Sequence, residues 1–226
     1  MTIKAIETVY RGYRFRSRLE ARYAVLFDAL GLEWEYEKEG FDLGANGYYL
    51  PDFWLNHASM GDDGWGYWIE IKPQPPTNDE INKLISLVKT TNHTAFLFIG
   101  TPQDGAEFIY INHSRPEPRL GRIERGIKDD GAYWLQFTNL TDPQEWVKGF
   151  QFVARYRITW NEYIQAVEAA RSARFEHGEQ PVTVKRIKPE PVAITPDWFG
   201  LEDYLIGLLY EASASLVEMD AYLVSR

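Results

Sequence analysis

Glu20, Asp52, Glu70 and Lys72 are the residues of this chain best placed by type and spacing to do chemistry. Asp52 sits in Tyr49-Leu50-Pro51-Asp52-Phe53, and the last two sit, after a glycine-rich stretch, in Trp68-Ile69-Glu70-Ile71-Lys72. Both segments read as strands. Side chains alternate faces along a strand, so Glu70 and Lys72 point the same way. Two carboxylates converging beside a lysine make a site for a hard divalent cation with a fixed positive charge next to it. Such a site is suited to attack on a phosphodiester.

The elements that must position these groups can be read from periodicity and punctuation. Residues 17–31 read as a helix, with Ser17 as cap, Glu20 completing a capping box and Gly31 as stop. Glu33-Trp34-Glu35-Tyr36-Glu37 alternates polar and aromatic residues, the pattern of a half-buried strand. Asn46-Gly47 turns the chain into a second strand over 48–55, in which Pro51 argues for an edge, an end or a bulge. A loop over 61–66 leads to a third strand over 67–72. Three prolines at 73, 75 and 76 break the chain before a helix over about 78–91, and Ala95–Gly100 reads as a buried strand. Residues 107–111 and 133–137 are further strand candidates. The stretch between them, with Pro116, Pro118, Gly121, Gly126 and Gly131, reads as a long surface excursion. A helix over 160–177 follows, with Thr159 and Glu162 as its capping box. Residues 179–195 read as a linker, and 196–226 as an amphipathic helix capped by Thr195 with Pro196 at its first position.

Composition bounds the answer. At 226 residues, 45% hydrophobic and 15% aromatic, the chain belongs to the globular class and can bury one good core. No apolar run approaches the roughly 20 residues that span a bilayer, and the N-terminus lacks the apolar core of a signal peptide. A cytoplasmic protein without a membrane role is the default expectation. The chain has no cysteine, which excludes disulfides, thiolate zinc sites, iron–sulfur clusters and cysteine nucleophiles. The net charge of −9 argues against a protein that coats nucleic acid. Its distribution softens that objection: residues 190–226 hold seven acids against Arg226 alone, and so carry −6 of the −9. Arg11, Arg14, Arg16, Arg18 and Arg22 form a local basic cluster compatible with brief contact with DNA.

The order helix, three strands, helix, strand, with Glu20, Pro51-Asp52 and Glu70-Ile71-Lys72 in it, resembles the PD-(D/E)XK or restriction-endonuclease-like nuclease superfamily. A closer likeness is to a group of small phage and bacterial proteins of mostly unassigned function. They share the pattern seen here in residues 13–22, in Tyr49-Leu50-Pro51-Asp52-Phe53, in Glu70-Ile71-Lys72, and in the helix ending at 169–179. The likeness covers about residues 10–179. It implies an α/β (α+β) fold with an αβββαβ core, a mixed central sheet and C-terminal helices. The implied domains are a nuclease-like 1–178, the linker, and the acidic helix. The implied cofactor is Mg²⁺ or Mn²⁺, held by Asp52 and Glu70 with the Ile71 main-chain carbonyl. Lys72 would orient a water and stabilise charge on the phosphorus. Glu20 would orient a metal-bound water or join a second ion. Arg14, Arg16, Arg18 and Lys83 would hold the DNA backbone. The helix after Lys72 lacks the Gln-X-X-X-Tyr of the recombination-exonuclease branch, which argues against helicase-coupled exonuclease action.

Each assignment has a plainer competitor. The carboxylates can be a solvated face, Glu20 a capping residue, the arginines a charged surface and Lys83 a solvated helix residue. The histidines at 57, 93, 113 and 177 show no paired spacing, and Trp54 and Trp65 are either core residues or base-stacking surfaces. At the level of function, a metal-dependent deoxyribonuclease of phage or mobile-element origin, in a bacterial or phage-infected cell, stands against two alternatives. One is a binding protein on a nuclease scaffold that engages a host protein through the acidic helix. The other is a nuclease subunit of a larger complex. The same helix is also expected to pack on its own body or to form a homodimer.

Overall fold

The computed structural model describes residues 6–56, 66–127, 133–140 and 158–176. The linker and acidic helix expected over 179–226 lie outside the described residues, as do the loop at 61–65, Trp65, His57 and His177. All described residues fall within one compact unit, Met1–Pro189. Among them no helix is long and apolar enough to cross a membrane.

A short hairpin opens the chain, β1 (Thr8–Tyr10) paired antiparallel with β2 (Tyr13–Phe15). Arg11 and Gly12 make its turn, both at positive φ, and the sequence reading did not anticipate it. Helix α1 (Arg18–Ala29) follows, then β3 (Trp34–Tyr36). The strand expected over 48–55 is broken in two. Tyr48–Tyr49 (β5) pairs with β4 (Phe41–Asp42), while Phe53–Asn56 (β6) enters the main sheet, and Pro51-Asp52 is the break. Proline has no N–H to give the ladder, so the interruption falls where the chain cannot pair. Strand β7 (Gly66–Lys72), helix α2 (Asn78–Thr91) and strand β8 (Ala95–Ile99) complete the core order.

Strand β9 (Glu107–Asn112) pairs with β10 (Arg115–Ile127), which pairs with β11 (Tyr133–Asn139). The expected surface excursion is therefore corrected: most of it is a strand of 13 residues. Pro116 and Pro118 lie at its start, in an irregularity between Arg115 and Pro118, and β11 pairs only with Gly121 onward. Among the described residues, the prolines thus stand where β10 faces no strand on that side. The last described helix, α3 (Trp160–Ser172), ends five residues short of the expected 177, at a C-cap Ala173 in an extended conformation.

The central sheet has seven strands in the order β11-β10-β9-β8-β7-β6-β3. Its one parallel step is β7 to β8, and α2 is the crossover between them. One face buries Phe53, Leu55, Ile69, Ile71, Phe96 and Phe98 against α1 and α3. The opposite face buries Trp54, Trp68, Ala95 and Leu97 against Leu84, Leu87 and Val88 of α2. With both faces covered, β7 reads as a nearly unbroken buried run. A charged residue on it stands out, and Glu70 and Lys72 lie on the α2 side with Trp68.

Candidate metal centre

The centre forms where the β6–β7 ladder stops. The last pair on that side is Phe53 with Ile69, so Ile71 has no backbone partner on β6. Asp52 supplies one: its Oδ2 accepts the Ile71 N–H at 2.7 Å. Trp68 and Lys72 turn their backbone groups toward β8, where Trp68 N–H meets the Thr94 carbonyl and the Lys72 carbonyl accepts from Gly100. Ile71, one residue out of phase, turns both its N–H and its carbonyl toward Asp52. The Pro51 break is what frees Asp52 to make this bond.

Asp52 and Glu70 are both buried, at 3% and 4% exposure. Glu70 Oε1 accepts from Lys72 Nζ at 2.8 Å, while its Oε2 is buried with no hydrogen-bond partner among the described residues. An ionised carboxylate oxygen left in that state is costly unless a cation or donor satisfies it. The Asp52 carboxyl titrates well above the ordinary carboxylate range. Burial is the main cause, followed by the charges of Glu70 and Glu20, against which the Ile71 N–H and Arg16 pull the other way. The site carries more negative charge than its own cations neutralise. Two buried carboxylates are enough protein ligands for a divalent ion that keeps several waters. Among the described residues, no group of three or more His, Cys, Asp or Glu lies at ligand spacing.

Lys72 bridges Glu70 and Glu80 Oε1, the latter at 3.2 Å. Burial pulls its pKa down, but the two carboxylates outweigh burial and the net shift is upward. It remains an ammonium. Glu80 is the third residue of α2 and also closes a capping box with Thr77. Sequence reading placed this helix but not Glu80 at the site. The signal was present in Thr77-x-x-Glu80, five residues after Lys72. Tyr49, in the motif beside Asp52, was likewise missed. Burial and then Glu70 hold its hydroxyl well above the usual tyrosine value, so it stays a neutral donor.

Glu20 does more than cap. In α2 and α3 the third-position glutamate returns to the N-cap backbone N–H. In α1 Ser17 accepts the Glu20 N–H, but the Glu20 carboxylate takes the Ser17 hydroxyl, the Arg16 N–H and the Tyr36 hydroxyl at 2.5 Å. Its charge reaches Asp52. The structure thus brings Glu20 beside the Asp52–Glu70 pair with its oxygens already hydrogen-bonded.

The expected DNA contacts divide. Arg16 turns into the site, with Nη2 on Asp52 Oδ1 at 2.7 Å and Nε on Glu37 Oε1 at 2.8 Å. Arg14 is exposed and pairs with Glu7, and Arg18 pairs with Glu176. Lys83 is half-buried on α2. Of the two readings of Trp54, the structure favours the core residue over the stacking surface. Trp54 is 2% exposed, 4.5 Å from the Trp68 ring, with the edge of His93 against it. His113 lies on the Thr94 hydroxyl, away from the carboxylates.

The order α1-β3-β6-β7-α2-β8 and the mixed sheet form an αβββαβ core, consistent with the restriction-endonuclease-like fold expected from the sequence. No protein-family model matches the chain, and no curated protein does. Among solved structures it is similar to Hjc, a Holliday junction resolvase from the archaeal hyperthermophile Archaeoglobus fulgidus. The match has TM-score 0.28 and 17% identity, and covers 46% of this chain and 79% of that one.

Proposed function

We propose that this chain is a metal-dependent nuclease that hydrolyses phosphodiester bonds of DNA, as an endonuclease on single-stranded or branched substrates. The observation that supports this reading is a buried Glu70 Oε2, without a hydrogen-bond partner among the described residues, beside a second buried carboxylate and a fixed ammonium. Asp52 and Glu70, with the Ile71 carbonyl, would hold Mg²⁺ or Mn²⁺. When bound, that ion supplies Lewis acidity toward a phosphoryl oxygen and lowers the pKa of a water. Lys72, held protonated and aimed by Glu80, orients the attacking water and stabilises charge developing on the phosphate. Burial and the Glu70 charge keep the Tyr49 hydroxyl protonated next to the site. Glu20 contributes negative charge and fixes the helix end. Arg14, whose exposed pair with Glu7 is weak, is available to a phosphate, with Arg18 and Lys83 as further contacts on the backbone.

The test is incubation of supercoiled plasmid, single strands and four-way junctions with the protein in Mg²⁺, Mn²⁺ or chelator. Cleavage is expected with either metal, abolished by chelator, and reduced by at least about 100-fold in Asp52→Ala and Lys72→Ala, the scale of a lost electrostatic group. Equal cleavage by wild type and both variants would sink the assignment.

A further inference from the structure

Arg16 makes a pair of contacts that DNA binding alone does not account for. Its Nη2 holds Asp52 Oδ1 and its Nε holds Glu37 Oε1. Glu37 is one of three non-glycine residues at positive φ among those described, at 47°. A bulky residue adopts that conformation only where its surroundings over-determine it. Here the cause is visible: the Glu37 N–H donates to the Asp52 carbonyl at 2.9 Å. Glu37 therefore fixes the Asp52 backbone directly and the Asp52 side chain through Arg16, closing a ring of three residues.

The ring has one loose member. The Arg16 backbone is pinned, its N–H shared between Glu20 Oε2 at 3.2 Å and the Tyr36 hydroxyl at 3.1 Å. Its side chain is 55% exposed, whereas that of Asp52 is 4% exposed. Oδ2 of Asp52 accepts the Ile71 N–H, which leaves Oδ1 for a further cation, and the guanidinium already sits on it. Two cations sharing that oxygen repel each other strongly in a desolvated site.

We infer that Arg16 is the internal counter-ion of the metal-free site, displaced from Asp52 Oδ1 by the divalent cation and retained by Glu37. Glu37 is then a positioning residue: it keeps the Nε bond when Nη2 lets go, so the guanidinium remains at the mouth of the site. This inference rests on the metal-binding reading proposed above.

A double-mutant cycle on Mn²⁺ affinity, measured by isothermal titration without DNA, tests it. Arg16→Gln should bind Mn²⁺ about tenfold tighter than wild type, the worth of one charge-assisted hydrogen bond. Glu37→Gln should bind more weakly than wild type, because Arg16 then has only Asp52 to hold. The double variant should match Arg16→Gln, since Glu37 acts through Arg16. A Glu37→Gln effect equal in both backgrounds would mean that Glu37 acts only as a distant charge, and would overturn the handover. Arg16→Lys keeps the charge but cannot bridge two carboxylates. It should fall between wild type and Arg16→Gln, and it carries the test if Arg16→Gln does not fold. Wild-type binding that neither Arg16 variant strengthens overturns this inference alone. Absence of Mn²⁺ binding in every variant overturns the metal site and the inference together.

Discussion

Asp52 is the residue on which charge, backbone and chemistry meet, and its environment makes a prediction about pH. Its folded pKa lies well above the ordinary carboxylate value, so the folded chain holds that proton more tightly than the unfolded chain does. The sign follows. Below the unfolded value of about 3.9 the group is neutral in both states and costs nothing. As pH rises from there through the folded pKa, ionisation is easier in the unfolded chain and stability falls. Asp52→Asn escapes that loss while keeping an oxygen for the Ile71 N–H. In urea denaturation without metal, Asp52→Asn is expected to be more stable than wild type by about 1 kcal/mol at neutral pH, the size typical of relieved active-site strain. The gap should close in acid. Added Mn²⁺ should reverse the order, raising the stability of wild type and leaving Asp52→Asn unchanged. A variant less stable than wild type at every pH would show that the Arg16 pair outweighs burial.

At the scale of elements, the sheet shows why glycine and proline mislead a linear reading. Gly121 lies in β10 opposite Phe108, and a Cβ there would stand 2.4 Å from the Phe108 ring. The glycine marks a place where an aromatic ring lies over the strand, not a turn. Gly121→Ala must therefore push a fully buried ring, and is expected to lower stability by about 1–3 kcal/mol, read as a lower urea midpoint with an unchanged slope. An unchanged midpoint would mean the ring has room to move. The same contrast explains what was legible. The α1, β3, β7, α2 and β8 assignments followed from periodicity and caps, which are local. Asp52, Glu70 and Lys72 stood out because strand alternation puts charge where burial is expected. Arg16 on Asp52, 36 positions away, and Glu80 on Lys72 depend on which strands pair and where a ladder ends. The left-handed Glu37 had no sequence signal at all, because its φ is imposed by a bond to Asp52.

At the scale of the whole molecule, the proposed function requires an acidic chain to approach a polyanion. The net charge is −9, and within the basic cluster Arg11, Arg14, Arg16 and Arg18 all have carboxylate partners that a phosphate would have to compete with. The buried Asp52–Glu70 pair adds repulsion at the point where, under the proposed function, the scissile phosphate would sit. A divalent ion changes that locally: it neutralises the pair and, by the handover argued above, frees the Nη end of Arg16 to face solvent. DNA binding should therefore be gated by metal. In fluorescence anisotropy with a labelled single strand, Ca²⁺ serving as a poor catalyst, binding is expected to be at least about tenfold tighter than in chelator, with two or so phosphate contacts giving a shallow salt slope of roughly −1 to −2 in log–log form. Asp52→Asn should lose most of the metal effect while keeping the slope, because the phosphate contacts from Arg14 and Lys83 are separate from the ion. Tight binding in chelator with a steep slope would instead reveal a basic surface acting independently of the carboxylates, and would place the DNA on a different face of the protein from the metal.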